Sequence, residues 1–266
     1  MERLNNIKIV FLDIDGTLTN SKKEVTKKSK EAIKRIVSKG IKVVLVTGRN
    51  VPYAIDVSKK AFASPIVISS NGAEIYDYEN KELLYGDRIP NKKIKEVYEF
   101  CNDNKIKVIF NTIDSVYANK YMIDYNNRDY KEIINKNELN KLVVIQITFQ
   151  LANSKEIIQC KDLINKLDLK INYLPDGFSD DKLNSLDVNN QEVSKGVAIK
   201  YLLKLFGIKK EESLCIGDYI NDKDMFKVCG YKVAMMNATL DIKEISDFIT
   251  LSNDDNGVAE FIDKYL

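Results

Sequence analysis

The chain contains no histidine and no tryptophan among its 266 residues. Histidine is the side chain that most often moves protons near neutral pH and is the commonest metal ligand. Its absence excludes Ser-His-Asp and Cys-His triads, histidine zinc sites and phosphohistidine intermediates. Any nucleophilic or acid–base chemistry in this chain therefore depends on carboxylate, lysine, tyrosine or thiol groups.

Cysteine, net charge and long apolar runs are also scarce. Four cysteines without C-x-x-C or zinc spacing predict buried free thiols and a reducing, cytoplasmic location. A formal net charge of +2 provides no basic field for nucleic acid. Because the apolar runs are too short for a membrane span and the N-terminus has no secretory pattern, we expect no membrane partner.

The remaining composition is that of a globular protein, with 44% hydrophobic and 30% charged residues. Apolar runs at 7–12, 41–46 and 66–69 predict buried strands. Helical spacing at 24–39, and from Pro52 onward, separates these strands. This β-α-β-α-β order predicts a doubly wound parallel sheet.

The pattern changes in the middle of the chain. Helical spacing at 92–104, 129–136 and 154–167 surrounds a strong strand signal at 142–150, which is typical of an α+β insert. We therefore predict an α/β fold with a Rossmann-like, doubly wound core made of residues 1–86 and 187–266. Residues 87–186 would form an inserted α+β cap domain.

The most informative motif lies directly after the first strand, where Asp13 and Asp15 precede Gly16. Residues two apart on an extended backbone point to the same side, so the two carboxylates are expected to lie together. Such close carboxylates require a cation between them or a proton on one of them. An ordinary Asx-turn remains the structural alternative. An EF-hand calcium loop is excluded because its further acidic ligands are missing.

Three other polar signatures occupy corresponding places in the predicted core. They are Thr47-Gly48-Arg49 after the second strand, Lys195-Gly196 at the start of a helix, and Gly217-Asp218-Tyr219-Ile220-Asn221-Asp222 after a later strand. Each is a weak signal on its own. Because the carboxyl ends of parallel strands meet at one crevice, all four together predict one site there.

The four signatures, with Asn71-Gly72 after the third strand, identify a family resemblance over essentially the whole chain. The chain resembles the haloacid dehalogenase superfamily, and within it the Cof-type phosphatases with a type IIB cap. One departure is visible, since Met236-Asn237-Ala238 stands where members often have Gly-Asn-Ala. A bulky side chain at this position affects how closely the loop backbone can come to the site, whereas the catalytic groups are unchanged.

The resemblance implies a Mg²⁺-dependent phosphatase of small phosphorylated metabolites, sugar phosphates in particular. Asp13 would be the nucleophile and Asp15 the general acid and base, with the two titrating as a coupled pair. Mg²⁺ would be held by Asp13, the backbone carbonyl of Asp15 and Asp218, with Asp222 as an anchor behind them. The groups implied to bind the phosphate are the amides of Ile14 and Gly48, and the side chains of Thr47, Lys195 and Asn221.

Two alternatives remain open from the sequence. A sugar phosphomutase of the phosphomannomutase type would have the same core and a similar cap. A non-catalytic sensor of a phosphorylated ligand is a third interpretation, which the intact Asp13, Asp15, Lys195 and Asp218 disfavour. Neither the substrate nor the oligomeric state follows from the sequence. The aromatic residues of the insert, Phe110, Tyr117, Tyr121, Tyr125 and Phe149, are expected to pack in its core.

Overall fold

The computed structural model describes residues 4–122, 130–173 and 184–266. In chain order its strands and helices are β1 (Ile9–Asp13), α1 (Lys27–Ser38), β2 (Lys42–Val46), α2 (Val51–Ala61), β3 (Ile66–Ser69), β4 (Glu74–Asp77), β5 (Glu82–Gly86), α3 (Asn91–Asp103), β6 (Lys107–Thr112), β7 (Val116–Ala118), β8 (Lys131–Glu132), β9 (Val144–Leu151), α4 (Ser154–Lys166), β10 (Leu169–Tyr173), β11 (Asn184–Asn190), α5 (Lys195–Phe206), β12 (Ser213–Gly217), α6 (Lys223–Val228), β13 (Tyr231–Ala234), α7 (Leu240–Glu244), β14 (Phe248–Ile249) and α8 (Gly257–Tyr265). Short 3-10 turns lie at Ser70–Gly72, Glu138–Lys141, Lys210–Glu212 and Ile220–Asp222.

The chain divides into two compact units. Residues 1–85 and 194–266 form one unit, here called the core domain, and residues 86–193 form the inserted domain. The predicted boundary at residue 187 falls inside β11, which pairs antiparallel with β9. Because this pairing keeps β11 in the inserted sheet, the chain leaves the inserted domain only after Val193.

The core domain is built on an eight-stranded sheet in the order β14-β13-β12-β1-β2-β3-β4-β5. The strands from β14 to β3 pair in parallel, and β4 joins β3 antiparallel. All five residues of β1 are buried, which is typical of a central strand covered on both faces. The structure therefore confirms the predicted α/β, Rossmann-like architecture with a doubly wound parallel sheet.

One apolar cluster joins this sheet to its helices. Ala32, Ile33 and Ile36 line the buried side of α1 at helical spacing. Phe11 from β1 and Phe261 from α8 are part of the same cluster. Burial of each such large side chain stabilises the fold by about 1.5–3 kcal/mol, and the cluster holds the strand ends of the sheet in place.

The inserted domain has its own sheet and its own apolar core. The strand order is β10-β11-β9-β6-β7-β8, and the pairings of β10, β11, β9, β6 and β7 are antiparallel. Phe110 and Phe149 are fully buried in this core, and Tyr117 packs against it. Tyr121 is half-buried, and Tyr125 lies outside the described residues. The predicted α+β character of the insert is confirmed.

Two parts of the secondary structure differ from expectation. The helix predicted at 129–136 is wrong over residues 130–136, where β8 instead pairs in parallel with β7, Tyr117 opposite Lys131. Here pairing with a distant segment outweighs local helical spacing. No helix was predicted from the sequence at α6, α7 or α8, which are short helices in the described C-terminal part.

The four cysteines, Cys101, Cys160, Cys215 and Cys229, are buried free thiols, as predicted. Burial raises the pKa of Cys160 to about 12, with a smaller contribution from the charge of Glu156. Such thiols are poor nucleophiles. Within the part of the chain that the structure describes, no helix combines the length and apolar character needed to cross a membrane.

The start of α5 places Lys195, and a hydrogen-bonded cap defines that start. Ser194 is the N-cap residue, and its hydroxyl accepts a hydrogen bond from the backbone N–H of Val197 at 3.2 Å. This bond satisfies one of the N–H groups that a helix leaves unpaired at its first turn.

We expect Ser194→Ala to lower the free energy of unfolding by about 1 kcal/mol, because the capping acceptor is lost. Urea denaturation followed by circular dichroism measures this change. The exposed Lys200 on the same helix provides a control, since Lys200→Ala should stay within about 0.5 kcal/mol of the parent. Equal stability of Ser194→Ala and the parent would contradict this role of the cap.

Candidate active site

The register of the central strands brings three of the four polar signatures to one edge of the sheet. Asp13 at the end of β1 lies opposite Val46 of β2, the residue before Thr47. On the other side of β1, Leu12 lies opposite Ile216 of β12. Asp218 therefore follows β12 at the same edge, beside Asp13. This is the convergence that a parallel sheet predicts.

The remaining signature, Lys195-Gly196, also reaches this edge, through the Lys195 side chain. Its Nζ donates hydrogen bonds to Oδ1 of Asp13 and Oδ1 of Asp222, both at 2.6 Å. The Lys195 side chain is fully buried, and so is that of Asp222. A buried ammonium group requires such compensation, because isolated charges are costly away from water.

Asp13, Asp218 and Asp222 form an acidic cluster in which one carboxylate oxygen from each lies within 4.8 Å of the others. The hydroxyl of Thr17 donates to Oδ1 of Asp218 at 2.9 Å. Oδ2 of Asp222 accepts hydrogen bonds from the backbone N–H groups of Asp218 and Tyr219 at 2.8 and 3.1 Å. Asp222 therefore shapes the turn that carries Asp218, in addition to binding Lys195.

Burial dominates the electrostatics of the acidic cluster. It raises the pKa of Asp13 well above its usual range, although Lys195 acts in the opposite direction. Burial, followed by the charge of Asp222, raises the pKa of Asp218 to about 7. For Lys195, burial alone would lower the pKa, but the charges of Asp13 and Asp222 outweigh it and raise the pKa. Two buried carboxylates, Asp13 and Asp222, thus share the Lys195 ammonium group, and the half-buried Asp218 lies beside them.

This donor set fits a hard divalent cation. Carboxylate oxygens are the ligands that Mg²⁺ prefers, and Asp13 and Asp218 are carboxylates whose ionised forms are disfavoured by burial. A cation between them would relieve that cost. The side chain of Asp15 is not part of the acidic cluster. The implied ligation by its backbone carbonyl stays a prediction.

Asp15 faces two cations instead of the acidic cluster. Its carboxylate accepts hydrogen bonds from Nε of Arg49 at 3.0 Å and Nζ of Lys23 at 2.9 Å. Burial would raise the pKa of Asp15, but the hydrogen bonds from Arg49 and Lys23 outweigh it, so its pKa is lowered. The coupled pair expected for Asp13 and Asp15 is therefore not the leading interaction of either carboxylate.

The groups predicted to bind phosphate lie around the same edge, and their roles stay predictions. Thr47 is buried, and its Oγ1 accepts a hydrogen bond from the backbone N–H of Arg49 at 3.1 Å. Ile14 is buried in the turn after β1. Asn221 donates from Nδ2 to Oδ1 of Asn71 at 3.2 Å. This last contact brings in a residue to which the sequence assigned no role.

Asn71 lies in the Ser70–Gly72 turn, which connects the polar signatures. All three residues have left-handed backbones, with φ of 50°, 59° and 100°. For Ser70 this conformation costs about 1 kcal/mol or more, whereas asparagine tolerates it better. The backbone N–H of Asn71 donates to the carbonyl of Thr47 at 3.0 Å. A Cβ on Gly72 would lie 2.2 Å from the carbonyl oxygen of Ser194, so only glycine allows this approach.

Several contacts in this site were missed by the sequence reasoning. Lys23 and Arg49 pair with Asp15, Thr17 orients Asp218, and Asn71 contacts Asn221. A signal existed for Asn71, because it follows the third parallel strand just as the other signatures follow theirs. For Lys23 and Thr17 the sequence offers no comparable signal, since their partners depend on the fold of the turn after β1.

Met236 does not prevent the backbone of its loop from lying close to the turn after β1. The Met236 residue is 52% exposed, so its bulky side chain is accommodated by solvent. The neighbouring Asn237 donates from Nδ2 to the carbonyl of Gly16 at 2.8 Å. The loop after β13 therefore still contacts the turn that follows Asp15.

Known proteins resemble this chain over nearly its full length. The family model described as haloacid dehalogenase-like hydrolase matches residues 10–262. Phosphatase YwpJ of Bacillus subtilis is 28% identical, over 98% of this chain and 100% of its own length. A phosphoglycolate phosphatase of Methanobrevibacter smithii is 29% identical, over 98% and 99% of the two chains.

A solved structure supports the same relationship. A haloacid dehalogenase-like hydrolase from Bacteroides thetaiotaomicron matches with a TM-score of 0.83 and 28% identity, over 97% of this chain and 99% of its own. The predicted class of enzyme is confirmed, since curated relatives are named phosphatases. With its family model covering residues 10–262, the chain belongs to the haloacid dehalogenase-like hydrolases.

Proposed function

We propose that this protein is a Mg²⁺-dependent phosphomonoester hydrolase that acts on small phosphorylated metabolites, sugar phosphates in particular, through an aspartyl-phosphate on Asp13. The observation that carries the proposal is the acidic cluster of Asp13, Asp218 and Asp222, gathered around the buried Lys195 at the end of the central strand. Binding alone would not require a carboxylate held in this way beside a second acid.

Asp13 is the proposed nucleophile. Lys195 donates to its Oδ1 at 2.6 Å, which leaves Oδ2 as the oxygen to attack phosphorus. The attack forms the Asp13 Oδ2–phosphorus bond and breaks the bond between phosphorus and the leaving alcohol oxygen. The charge of Lys195 also counteracts the repulsion between this carboxylate and the phosphoryl group.

Asp13, Asp218 and the carbonyl of Asp15 would hold Mg²⁺, with Asp222 orienting Asp218 from behind. When bound, Mg²⁺ supplies charge stabilisation to the phosphoryl oxygens and screens them from the acidic cluster. The Thr47 hydroxyl, the amides of Ile14 and Gly48, and Asn221 would donate to the same oxygens.

Asp15 is the proposed proton-transfer group. Arg49 and Lys23 favour its carboxylate form, which is the form that accepts a proton from the water that attacks the phosphoenzyme. Donation to the leaving alcohol in the first step requires that Asp15 has first gained a proton. Arg49 and Lys23 also hold the Asp15 side chain outside the acidic cluster, where its carboxylate does not compete with Asp218 for Mg²⁺.

We expect Asp13→Asn to reduce turnover about a thousandfold or more, because the amide keeps the volume but is not a nucleophile. Phosphate release from a panel of sugar phosphates with Mg²⁺ measures this. Asp56→Asn is a matched control, since Asp56 is exposed and pairs only with Lys60 in the described contacts. Activity of Asp13→Asn within a few-fold of the parent would refute the mechanism.

For Asp15→Asn we expect turnover to fall by about 10² to 10⁴, most strongly for substrates with poor leaving groups. The reason is that a poor leaving group depends most on proton donation. Rates for aryl phosphates with phenols of graded pKa provide the measurement. A loss of equal size across that series would show that Asp15 has another role.

Chelation of divalent cations should abolish turnover, and added Mg²⁺ should restore it. Mg²⁺ should also raise the melting temperature of the parent, because a ligand that binds the folded state stabilises it. Asp218→Asn should lose most of this thermal shift, while Asp56→Asn should retain it. Full turnover in the presence of excess chelator would contradict the proposed cofactor.

The panel of sugar phosphates also distinguishes a hydrolase from a phosphomutase. A hydrolase releases inorganic phosphate from simple monophosphates without any bisphosphate activator. Formation of an isomeric sugar phosphate that depends on a bisphosphate, without phosphate release, would favour the mutase.

A further inference from the structure

Glu74 is a buried acidic residue that the proposed mechanism does not use. It is the first residue of β4 and only 1% exposed. Its Oε2 accepts hydrogen bonds from the hydroxyls of Ser69 at 3.1 Å and Ser70 at 3.4 Å. Its Oε1 is buried and has no hydrogen-bond partner among the residues that the structure describes.

The surroundings of Glu74 favour a neutral carboxyl group. Burial raises its pKa to about 7, against the opposing effect of the two serine hydroxyls. In the neutral acid, one oxygen remains an acceptor for the serines while the other carries the proton. A glutamine at this position would retain the same acceptor and the same shape.

Glu74 is adjacent to the Ser70–Gly72 turn, and that turn contacts residues of the other three signatures, Thr47-Gly48-Arg49, Lys195-Gly196 and the segment containing Asn221. The backbone N–H of Ser70 donates to the carbonyl of Arg49 at 2.8 Å, and the backbone N–H of Asn71 donates to the carbonyl of Thr47 at 3.0 Å. The Asn71 side-chain amide accepts from Asn221 at 3.2 Å. The same amide packs against Gly48, 3.0 Å from where a Cβ would lie.

The conformation of this turn needs support from outside its own backbone. Its residues occupy the left-handed region, which serine disfavours and asparagine tolerates better. The hydroxyls of Ser69 and Ser70 converge on one oxygen of Glu74 and so connect the end of β3 to the start of β4 across the turn. Loss of that oxygen would release Asn71 from Gly48 and Asn221.

We propose that Glu74 is a positioning residue for phosphate binding, whose carboxyl group holds the Ser70–Gly72 turn and thereby places Asn71 against Gly48 and Asn221. The proposal rests on the proposed function, since Gly48 and Asn221 are taken as phosphate donors. Glu74 itself touches no reacting atom. Its effect reaches the phosphate through Asn71 and Asn221.

The test uses the full-length protein, p-nitrophenyl phosphate as substrate and inorganic phosphate as competitive inhibitor. We expect Glu74→Ala to raise the inhibition constant of phosphate and the KM about tenfold, as for one lost hydrogen bond to a charged group. The kcat should change less than KM, because Asp13 and Asp15 are untouched. Glu74→Gln should restore both constants to within about twofold, because it retains the acceptor.

Asp77 provides the matched control on the same strand. It is also buried, and it accepts hydrogen bonds from the N–H groups of Glu79 and Asn80 at 3.0 Å, at the end of β4 away from the turn. Asp77→Ala should lower the melting temperature and leave the inhibition constant of phosphate unchanged. A rise equal to that of Glu74→Ala would show general destabilisation and overturn the proposal.

Asn71→Ala extends the test to the residue through which Glu74 acts. Its inhibition constant should match that of Glu74→Ala, and the double variant should show no further rise, since both remove the same contact. If Glu74→Ala does not fold, Ser69→Ala removes one of the two bonds to Oε2 and should give a smaller rise in the same direction. Additive effects, or an unchanged constant in a folded variant, would overturn the proposal.

Failure of the inference differs visibly from failure of the proposed function. If the protein is not a phosphatase, the parent itself releases no phosphate from any monoester. If only the role of Glu74 is wrong, the parent turns over and Glu74→Ala binds phosphate equally well. Equal impairment of Glu74→Gln and Glu74→Ala would also refute the role of Oε2 as an acceptor for Ser69 and Ser70.

Discussion

The ammonium group of Lys195 lies buried between two carboxylates, and the rest of the site depends on this interaction. Asp13 and Asp222 each accept a hydrogen bond from it at 2.6 Å. The three residues come from the end of β1, the start of α5 and the turn after β12, which are distant in sequence. Loss of one partner of such a buried group costs about 3–5 kcal/mol, because the remaining charges are left uncompensated. The interaction therefore ties three parts of the chain to one point.

A second set of contacts separates the two aspartates that follow the first strand. Asp13 lies in the acidic cluster and forms an ion pair with Lys195, whereas Asp15 forms ion pairs with Arg49 and Lys23. Burial raises the pKa of Asp13, and the two cations lower that of Asp15. Two carboxylates separated by a single residue in sequence thus have different electrostatic surroundings, which is the condition for giving them different chemical roles.

The sequence predicted the sheet well where the signal was local. The strand at Ile66–Ser69 has the bounds expected from its apolar residues, and the helix Lys195–Phe206 begins at the expected residue. The errors lie where distant pairing decides. Residues 130–136 contain β8 because β7 pairs with it, and the return to the core domain follows β11 because β9 holds that strand. The local pattern of residues predicts neither strand pairing.

For the site, the sequence by itself determined which chemistry is available. Without histidine, and with carboxylates, a lysine and small polar turns after parallel strands, it pointed to one oxygen-rich site at the end of β1. Only the tertiary structure decided the partners. The register of β1 with β2 and β12, the start of α5 and the left-handed Ser70–Gly72 turn set which charge faces which. The physical reason is that side-chain types follow from the sequence, whereas distances of 3 Å between residues far apart in the chain exist only once the sheet has formed.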